Sequence, residues 1–219
     1  MSDTPRCRIA ILAAGTGGHV LPALEVAQGL RAEGAHIEWL GAGRDLERRL
    51  VDAAGFPYTD IGAIGFVGRG ALGQLSSLLL NGLALLRAIV WMQRRRPDIV
   101  FGFGGYICVS GGLAAHLCRI PLILHEQNAV PGRANRLCAR WARIGFEGIP
   151  GGFSGLVETH PSGNPVRPDI AALPEPGRRY AERGTAPLRL LVLGGSSGAE
   201  QLNQALPALL GGRSDLEVR

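Results

Sequence analysis

Arg8-Ile-Ala-Ile-Leu-Ala-Ala-Gly-Thr-Gly-Gly-His-Val-Leu-Pro22 reads as a buried strand, a glycine-rich turn and the start of a helix. Ile9 to Ala14 carries no polar side chain, as expected of a strand covered on both faces. Gly15, Gly17 and Gly18 permit a tight turn and a close approach of backbone to a ligand. Pro22 suits a first helical turn, where its missing N–H costs nothing. The helix is expected from Val20 to Glu33. Free N–H groups at the positive end of its dipole make the turn a place for phosphate or diphosphate.

A dinucleotide fingerprint needs a third glycine where Val20 stands. The second strand, expected over Ala35 to Leu40, runs into Gly41-Ala-Gly-Arg44 and not into an acidic residue that could hold a ribose. A nicotinamide or flavin site is therefore not expected. His19, beside the turn, can serve as a base, a proton donor or a phosphate contact; the alternative is a helix-start histidine bonded to its own turn.

Outward from this stretch, strands alternate with helical segments. A charged helix over Arg44 to Ala54 and a strand over Phe56 to Ile61 come first. A strand over Asp98 to Phe101 follows, with a helix over Ile107 to Cys118, and then a strand over Pro121 to Leu124. This alternation implies βαβ units, a parallel sheet and right-handed crossovers. Gly102-Phe-Gly-Gly-Tyr106 repeats the strand–turn–helix logic of the opening. His125-Glu126-Gln127-Asn128 stands at the end of a buried strand, where open α/β sheets bind ligands. A helix carrying Arg133, Arg136, Arg140 and Arg143 is expected to follow it.

Between the third and fourth strands lie a glycine-spaced loop with exposed-looking Ile64, Phe66 and Val67 and a helix over Leu72 to Arg96. Leu72, Leu75, Leu79, Leu83, Leu86 and Val90 form one stripe of that helix. Leu78, Leu85, Ile89 and Met92 form a second. Packing on one sheet requires only one stripe, so the other side must meet another element, a partner or lipid. With Arg87 and Arg94-Arg95-Arg96 flanking it, the loop and helix make a candidate membrane-surface patch. The other reading is a fully buried domain helix. Gln74, Ser76, Ser77, Asn81 and Arg87 interrupt the helix, which argues against a span.

The 219 residues carry a net charge of +5, and all 23 Lys/Arg positions are arginine. Arginine binds two phosphate oxygens at once, so the charge favours anionic partners without choosing among nucleotide, lipid headgroup and nucleic acid. The chain holds 33 glycines, and several stand in pairs after the expected strands. The four cysteines, Cys7, Cys108, Cys118 and Cys138, form no C-x-x-C pair and read as structural, not as disulfide or metal ligands. The polar N-terminus lacks the pattern of a signal peptide, which reads as a cytoplasmic protein.

Composition shifts after Ile144. Gly148 to Gly155 reads as a loop, and Ser162 to Pro168 is dense in turn residues. A fresh strand is expected over Leu188 to Leu193. Gly194-Gly-Ser-Ser-Gly198, a helix over Ala199 to Leu210 and a strand from Asp215 follow. The expected division is 1–163, a linker over 164–187, and 188–219 as the opening of a second domain. A single βα unit cannot bury its own core, so the chain reads as one cut short.

Gly15-Thr-Gly-Gly-His-Val-Leu-Pro22, Gly102-Phe-Gly-Gly-Tyr106, His125-Glu-Gln-Asn-Ala-Val-Pro-Gly132, Gly163-Asn-Pro-Val-Arg167 and Gly194-Gly-Ser-Ser-Gly-Ala199 together resemble the MurG family. These are bacterial N-acetylglucosaminyltransferases of peptidoglycan synthesis, in glycosyltransferase family 28. The resemblance implies an α/β fold of GT-B type, with a Rossmann-like N-terminal domain on a parallel sheet and the first part of a second Rossmann-like domain. It implies transfer of N-acetylglucosamine from UDP-GlcNAc to lipid I, giving lipid II with inversion, without metal or other cofactor. It places the work on the anionic cytoplasmic face of the inner membrane, with no nucleic-acid partner. By the resemblance, Thr16, Gly17, Gly18, Asn128, Arg167 and Ser196 contact the donor. Gly15, Gly104, Gly105 and Tyr106 serve the acceptor, and Ile64, Phe66, Val67, Leu75 and Leu79 face lipid. His19 is the expected base and Glu126 the alternative. Two other readings remain: a GT-B enzyme acting on another lipid such as diacylglycerol, and a non-catalytic module that binds membrane and lipid diphosphate.

Overall fold

The computed structural model describes residues 7–15, 17–65, 71–183, 187–194, 199–213 and 215–218, without the side chains of 71–75. Thr16, Phe66, Val67, Ser196 and the side chain of Leu75 lie outside the described residues. Two compact units divide the chain, Met1–Arg167 and Pro168–Arg219.

The first unit is built on strands β1 (Arg8–Ala13), β2 (His36–Gly41), β3 (Tyr58–Asp60), β4 (Ile99–Gly104), β5 (Leu122–Glu126), β6 (Ile144–Glu147) and β7 (Thr159–Pro161). They form one sheet in the order β3-β2-β1-β4-β5-β6-β7, and every neighbouring pair is parallel. The connections run outward in opposite directions from β1 and β4, so the topological switch lies between those two strands, where doubly wound folds open a crevice. Helices α1 (Gly17–Ala32), α2 (Asp45–Ala53), α3 (Ala71–Arg95), α4 (Ile107–Leu117) and α5 (Arg133–Cys138) cover the sheet.

Alternation along β1 serves two cores. Ile9, Ile11 and Ala13 join Val20, Ala23, Leu24 and Ala27 of α1, with Trp39, Phe101 and Phe103. Ala10, Leu12 and Ala14 face the other way, toward Ala84, Ala88 and Met92 of α3 and Ile107, Ala114 and Ala115 of α4. This period of two, apolar in both phases, is why the strand looked uniformly hydrophobic.

Several boundaries differ from the sequence reading. Helix α1 begins at Gly17, not Val20, so His19 sits in its first turn. Strand β4 continues through Gly102 and Phe103 to Gly104, and Gly102 pairs with Leu12 on one side and Leu124 on the other; the turn proper begins at Gly104. His125 and Glu126 lie within β5. Helix α5 stops at Cys138, which leaves Arg140 and Arg143 beyond it. Strands β6 and β7 occupy a region that carried no strand expectation.

Helix α3 shows the largest departure. Its inward face is Ser77, Asn81, Ala84, Ala88, Trp91 and Met92, all buried, whereas Leu78, Leu79, Leu83, Leu86 and Val90 are exposed. Of the second expected stripe, Leu85 and Ile89 pack partly on the core and Leu78 does not. Small residues let α3 lie close along α4, where Ser110 Oγ donates to the Asn81 carbonyl at 3.5 Å. Residues 76–95 have a mean hydropathy of 1.3 and length enough to cross a membrane, yet about a quarter of that stretch is buried against the unit. Ile64, read as exposed, is half-buried. Its N–H donates to Asn81 Oδ1 at 3.2 Å and its carbonyl accepts from Asn81 Nδ2 at 2.9 Å.

The second unit holds α6 (Pro168–Ala171), α7 (Pro176–Arg183), β8 (Leu188–Leu190), α8 (Glu200–Leu210) and β9 (Leu216–Val218). β8 and β9 pair in parallel, so β8–α8–β9 is one βαβ unit. None of its helices buries a residue.

Candidate active site

The turns after β1, β4 and β5 leave the carboxyl ends of three adjacent parallel strands and share one rim. Gly15, Gly104 and Gly105 have φ of +106°, +110° and +81°, backbone that L side chains resist. The first two turns touch: a Cβ on Gly105 would stand 2.2 Å from the Ala14 carbonyl oxygen, and one on Gly104 would stand 2.9 Å from the His19 ring. Glycine is required there because His19 and the β1 turn already fill the space.

A cleft of about 610 Å³ opens over these turns, lined by His19, Arg44, Gly104, Tyr106, Glu126 and Arg133 among others. Gly105 is also on its wall, so three of the four expected acceptor residues border it. Gly17 and Gly18 open α1 beside it, with N–H groups at the positive end of the helix dipole. Arg44, which the sequence reading placed only at a helix start, donates from Nε to the Tyr106 hydroxyl at 3.0 Å. That contact holds a guanidinium over the β4 turn. A signal existed in the Gly41-Ala-Gly43 turn before Arg44, another glycine-marked strand end.

The β5 quartet divides into two structures. Glu126 is 1% exposed, and its carboxylate accepts four hydrogen bonds. Oε1 takes the Asn128 N–H at 3.0 Å and Asn128 Nδ2 at 2.9 Å; Oε2 takes the Gly132 N–H at 3.1 Å and Asn135 Nδ2 at 2.9 Å. Both oxygens are thus committed to shaping the loop 126–132, and Asn128 is held by it. Glu126, the alternative base of the sequence reading, also borders the cleft.

His125 and Gln127 form the other structure. His125 is 2% exposed and stacks on Phe103 with ring centroids 5.6 Å apart. Burial holds its pKa below the ordinary imidazole value, against smaller opposing effects of the Gly163 carbonyl and the Glu126 charge. Its Nε2 meets the Gly163 carbonyl oxygen at 3.2 Å. Gln127 bridges from His125 Nδ1, at 3.0 Å, to His19 Nδ1, at 3.1 Å. Arg167 is an exposed residue at the end of the first unit. Among the described residues, no cluster of three or more His, Cys, Asp or Glu side chains could hold a metal.

Beneath the β4 turn, Cys108 Sγ lies 3.2 Å from both the N–H and the carbonyl oxygen of Gly104 and 3.4 Å from the Leu12 carbonyl oxygen. Burial pushes its thiol up to about 12, so it braces the turn as a neutral group.

Residues 9–145 match the glycosyltransferase family 28 N-terminal domain. The chain belongs to glycosyltransferase family 28. A UDP-N-acetylglucosamine--N-acetylmuramyl-(pentapeptide) pyrophosphoryl-undecaprenol N-acetylglucosamine transferase of Xylella fastidiosa is 46% identical over 210 residues, which cover 96% of this chain and 56% of that protein. A protein of the same name from Marinobacter nauticus is 43% identical, over 96% of this chain and 58% of its own length. This family 28 chain therefore spans little more than half of these relatives. Among solved structures, Acinetobacter baumannii MurG superposes with a TM-score of 0.73 at 37% identity, covering 92% of this chain and 56% of that one. The UDP-GlcNAc 2-epimerase of Methanocaldococcus jannaschii shares the fold, with a TM-score of 0.58 at 13% identity over 97% of this chain and 72% of its own.

Proposed function

We propose that this family 28 chain supplies the acceptor side of an inverting glycosyltransferase that moves N-acetylglucosamine from UDP-GlcNAc to the muramoyl sugar of lipid I, forming lipid II. The observation that carries this reading is the meeting of the β1, β4 and β5 turns on one rim, with His19 in the first turn of α1. It is supported by the names of relatives that match nearly the whole chain.

His19 accepts the proton of the acceptor hydroxyl as that oxygen attacks the anomeric carbon. The bond from that carbon to the UDP oxygen breaks through an oxocarbenium-like state, and the electron pair leaves with the diphosphate. The backbone N–H groups at Gly17 and Gly18 and the dipole of α1 stabilise anionic oxygens without a metal. Gly15, Gly104, Gly105 and Tyr106 form the cradle for the acceptor diphosphate. Thr16, Gly17, Gly18, Asn128, Arg167 and Ser196 serve the donor. Glu126 keeps Asn128 in place for that role.

The enzyme works as a peripheral protein at the cytoplasmic face of the inner membrane. The exposed leucines of α3 enter the interface, and Arg87, Arg94 and Arg95, which line a groove beside Leu86 and Val90, meet anionic headgroups. The first unit, Met1–Arg167, is the membrane-associated acceptor domain, and residues 188–219 belong to the donor domain.

The test is transfer of labelled GlcNAc by a full-length enzyme carrying this chain, with lipid I and diacylglycerol offered as acceptors. Labelled lipid II supports the proposal. Transfer to diacylglycerol alone overturns the choice of acceptor, and vesicle binding without UDP-GlcNAc binding favours a docking module.

A further inference from the structure

His19, Gln127, His125 and the Gly163 carbonyl make one unbroken line of contacts, at 3.1, 3.0 and 3.2 Å in turn. Each imidazole nitrogen can donate or accept, and a side-chain amide can turn either its donating NH2 or its accepting oxygen toward a given neighbour. Such a line could carry its protons in either direction. Carbonyl oxygens only accept, and two of them stand on this one. The Gly163 oxygen requires a proton on His125 Nε2. The His125 carbonyl oxygen, 3.3 Å from Gln127 Nε2, requires the amide nitrogen to be on that side. A neutral His125 then has its lone pair on Nδ1, where it accepts from the same amide nitrogen. Gln127 Oε1 is left facing His19 and can only accept, so the proton of His19 is on Nδ1. The lone pair of a neutral His19 is then on Nε2, which has no hydrogen-bond partner among the described residues.

We propose that His125 and Gln127 are positioning residues that hold His19 as the Nδ1–H tautomer, making Nε2 its basic nitrogen in the cleft. The catalytic meaning rests on the reading of His19 as base; the tautomer itself does not. The charged group acting on His125 is Glu126, its strand neighbour. The side chain stacked on it is that of Phe103, and α5 contributes the Asn135 amide, which donates to the His125 carbonyl at 3.1 Å. Burial outweighs the Glu126 carboxylate, and the line keeps its direction while His125 is neutral. A cationic His125 would set an N–H against the Gln127 amide nitrogen and break it.

The experiment is a long-range proton–nitrogen NMR correlation on the full chain labelled with 15N-histidine, near neutral pH and without substrate. The wild type is expected to show His19 protonated on Nδ1 with Nε2 bare, and His125 protonated on Nε2. His125→Phe keeps the ring against Phe103 but frees Gln127, so the His19 nitrogen shifts should move toward an average of the two tautomers. Gln127→Leu should do the same. Gln127→Glu, whose carboxylate still accepts from Nδ1–H, should retain the wild-type His19 pattern while changing that of His125. A wild-type His19 with its proton on Nε2 overturns the proposal, as does a folded His125→Phe protein with an unchanged His19. If His125→Phe fails to fold, the wild-type spectrum still decides. Because no turnover is involved, a failure here leaves the transferase reading standing, and an inactive transferase would leave the tautomer standing.

Discussion

Gly105 presses against Ala14 so closely that a Cβ on the glycine would fall 2.2 Å from the alanine carbonyl oxygen. The turns after β1 and β4 are therefore one packed object, and neither can be displaced without moving the other. Gly105→Ala meets both this backbone contact and a φ of +81°. We expect a loss of about 1–3 kcal/mol in stability, read by urea unfolding. Gly29 supplies the control. It lies in α1 with nothing within 4 Å of a built Cβ, so Gly29→Ala should gain roughly 0.5–1 kcal/mol.

His19→Ala in a full-length enzyme should lower the rate of GlcNAc transfer by about two to four decades, the usual range for a lost general base. Steady-state assay with lipid I checks this, and a variant within threefold of wild type, on the order of 0.7 kcal/mol, removes His19 from that role.

Glu47 gives a pH dependence with a definite sign. It is fully buried, and burial pushes its pKa up to about 7 despite the bonds it accepts from the Tyr58 hydroxyl and the Ala42 N–H. The folded value is raised above the ordinary 4.5, so the folded state holds this proton more tightly than the unfolded chain does. Stability attributable to Glu47 is full below the unfolded value and falls as pH rises toward about 7, by on the order of 3 kcal/mol. Urea unfolding across that window should show the decline, and Glu47→Gln should flatten it.

The exposed face of α3 is predicted to bind lipid at no structural cost to lose. Leu79→Glu and Leu83→Glu, at positions 65% and 50% exposed, should each weaken binding to anionic vesicles by about tenfold. Unfolding should shift by no more than about 0.5 kcal/mol. Ala84→Leu, on the buried face, should do the reverse and cost about 1–3 kcal/mol in stability. Co-sedimentation with vesicles and urea titration separate the two.

The strand–turn–helix rhythm was legible because each glycine turn follows an apolar run, and the rim at β1, β4 and β5 followed from it. The extension of β4 through Gly102 was not, since glycine is a poor strand former. There a Cβ would press on Leu124 at 3.0 Å and on Cys108 Sγ at 3.2 Å, so packing of α4 on the sheet selects glycine inside the strand. Hydropathy also misread α3. The contact face uses Ser77, Asn81, Ala84 and Ala88, whose small volume matters more than their apolarity. Strands β6 and β7 are three or four residues long, too short to show alternation. The quartet His125 to Asn128 was visible as a group, but not its division. The bond from Gln127 to His19 spans 108 positions, and no local pattern announces it.

The inward face of α3, alanine, serine and asparagine up to Trp91 and Met92, leaves most of its leucines in a standing outward array. An amphipathic segment that must first unmask itself delays its attachment by the time and work of opening. If this face is the lipid-binding one, as proposed, it stands ready in the resting fold, and attachment would leave the sheet and its cleft undistorted. Residence at a surface would then be governed by area and ionic strength alone, with grip and chemistry adjustable one without the other.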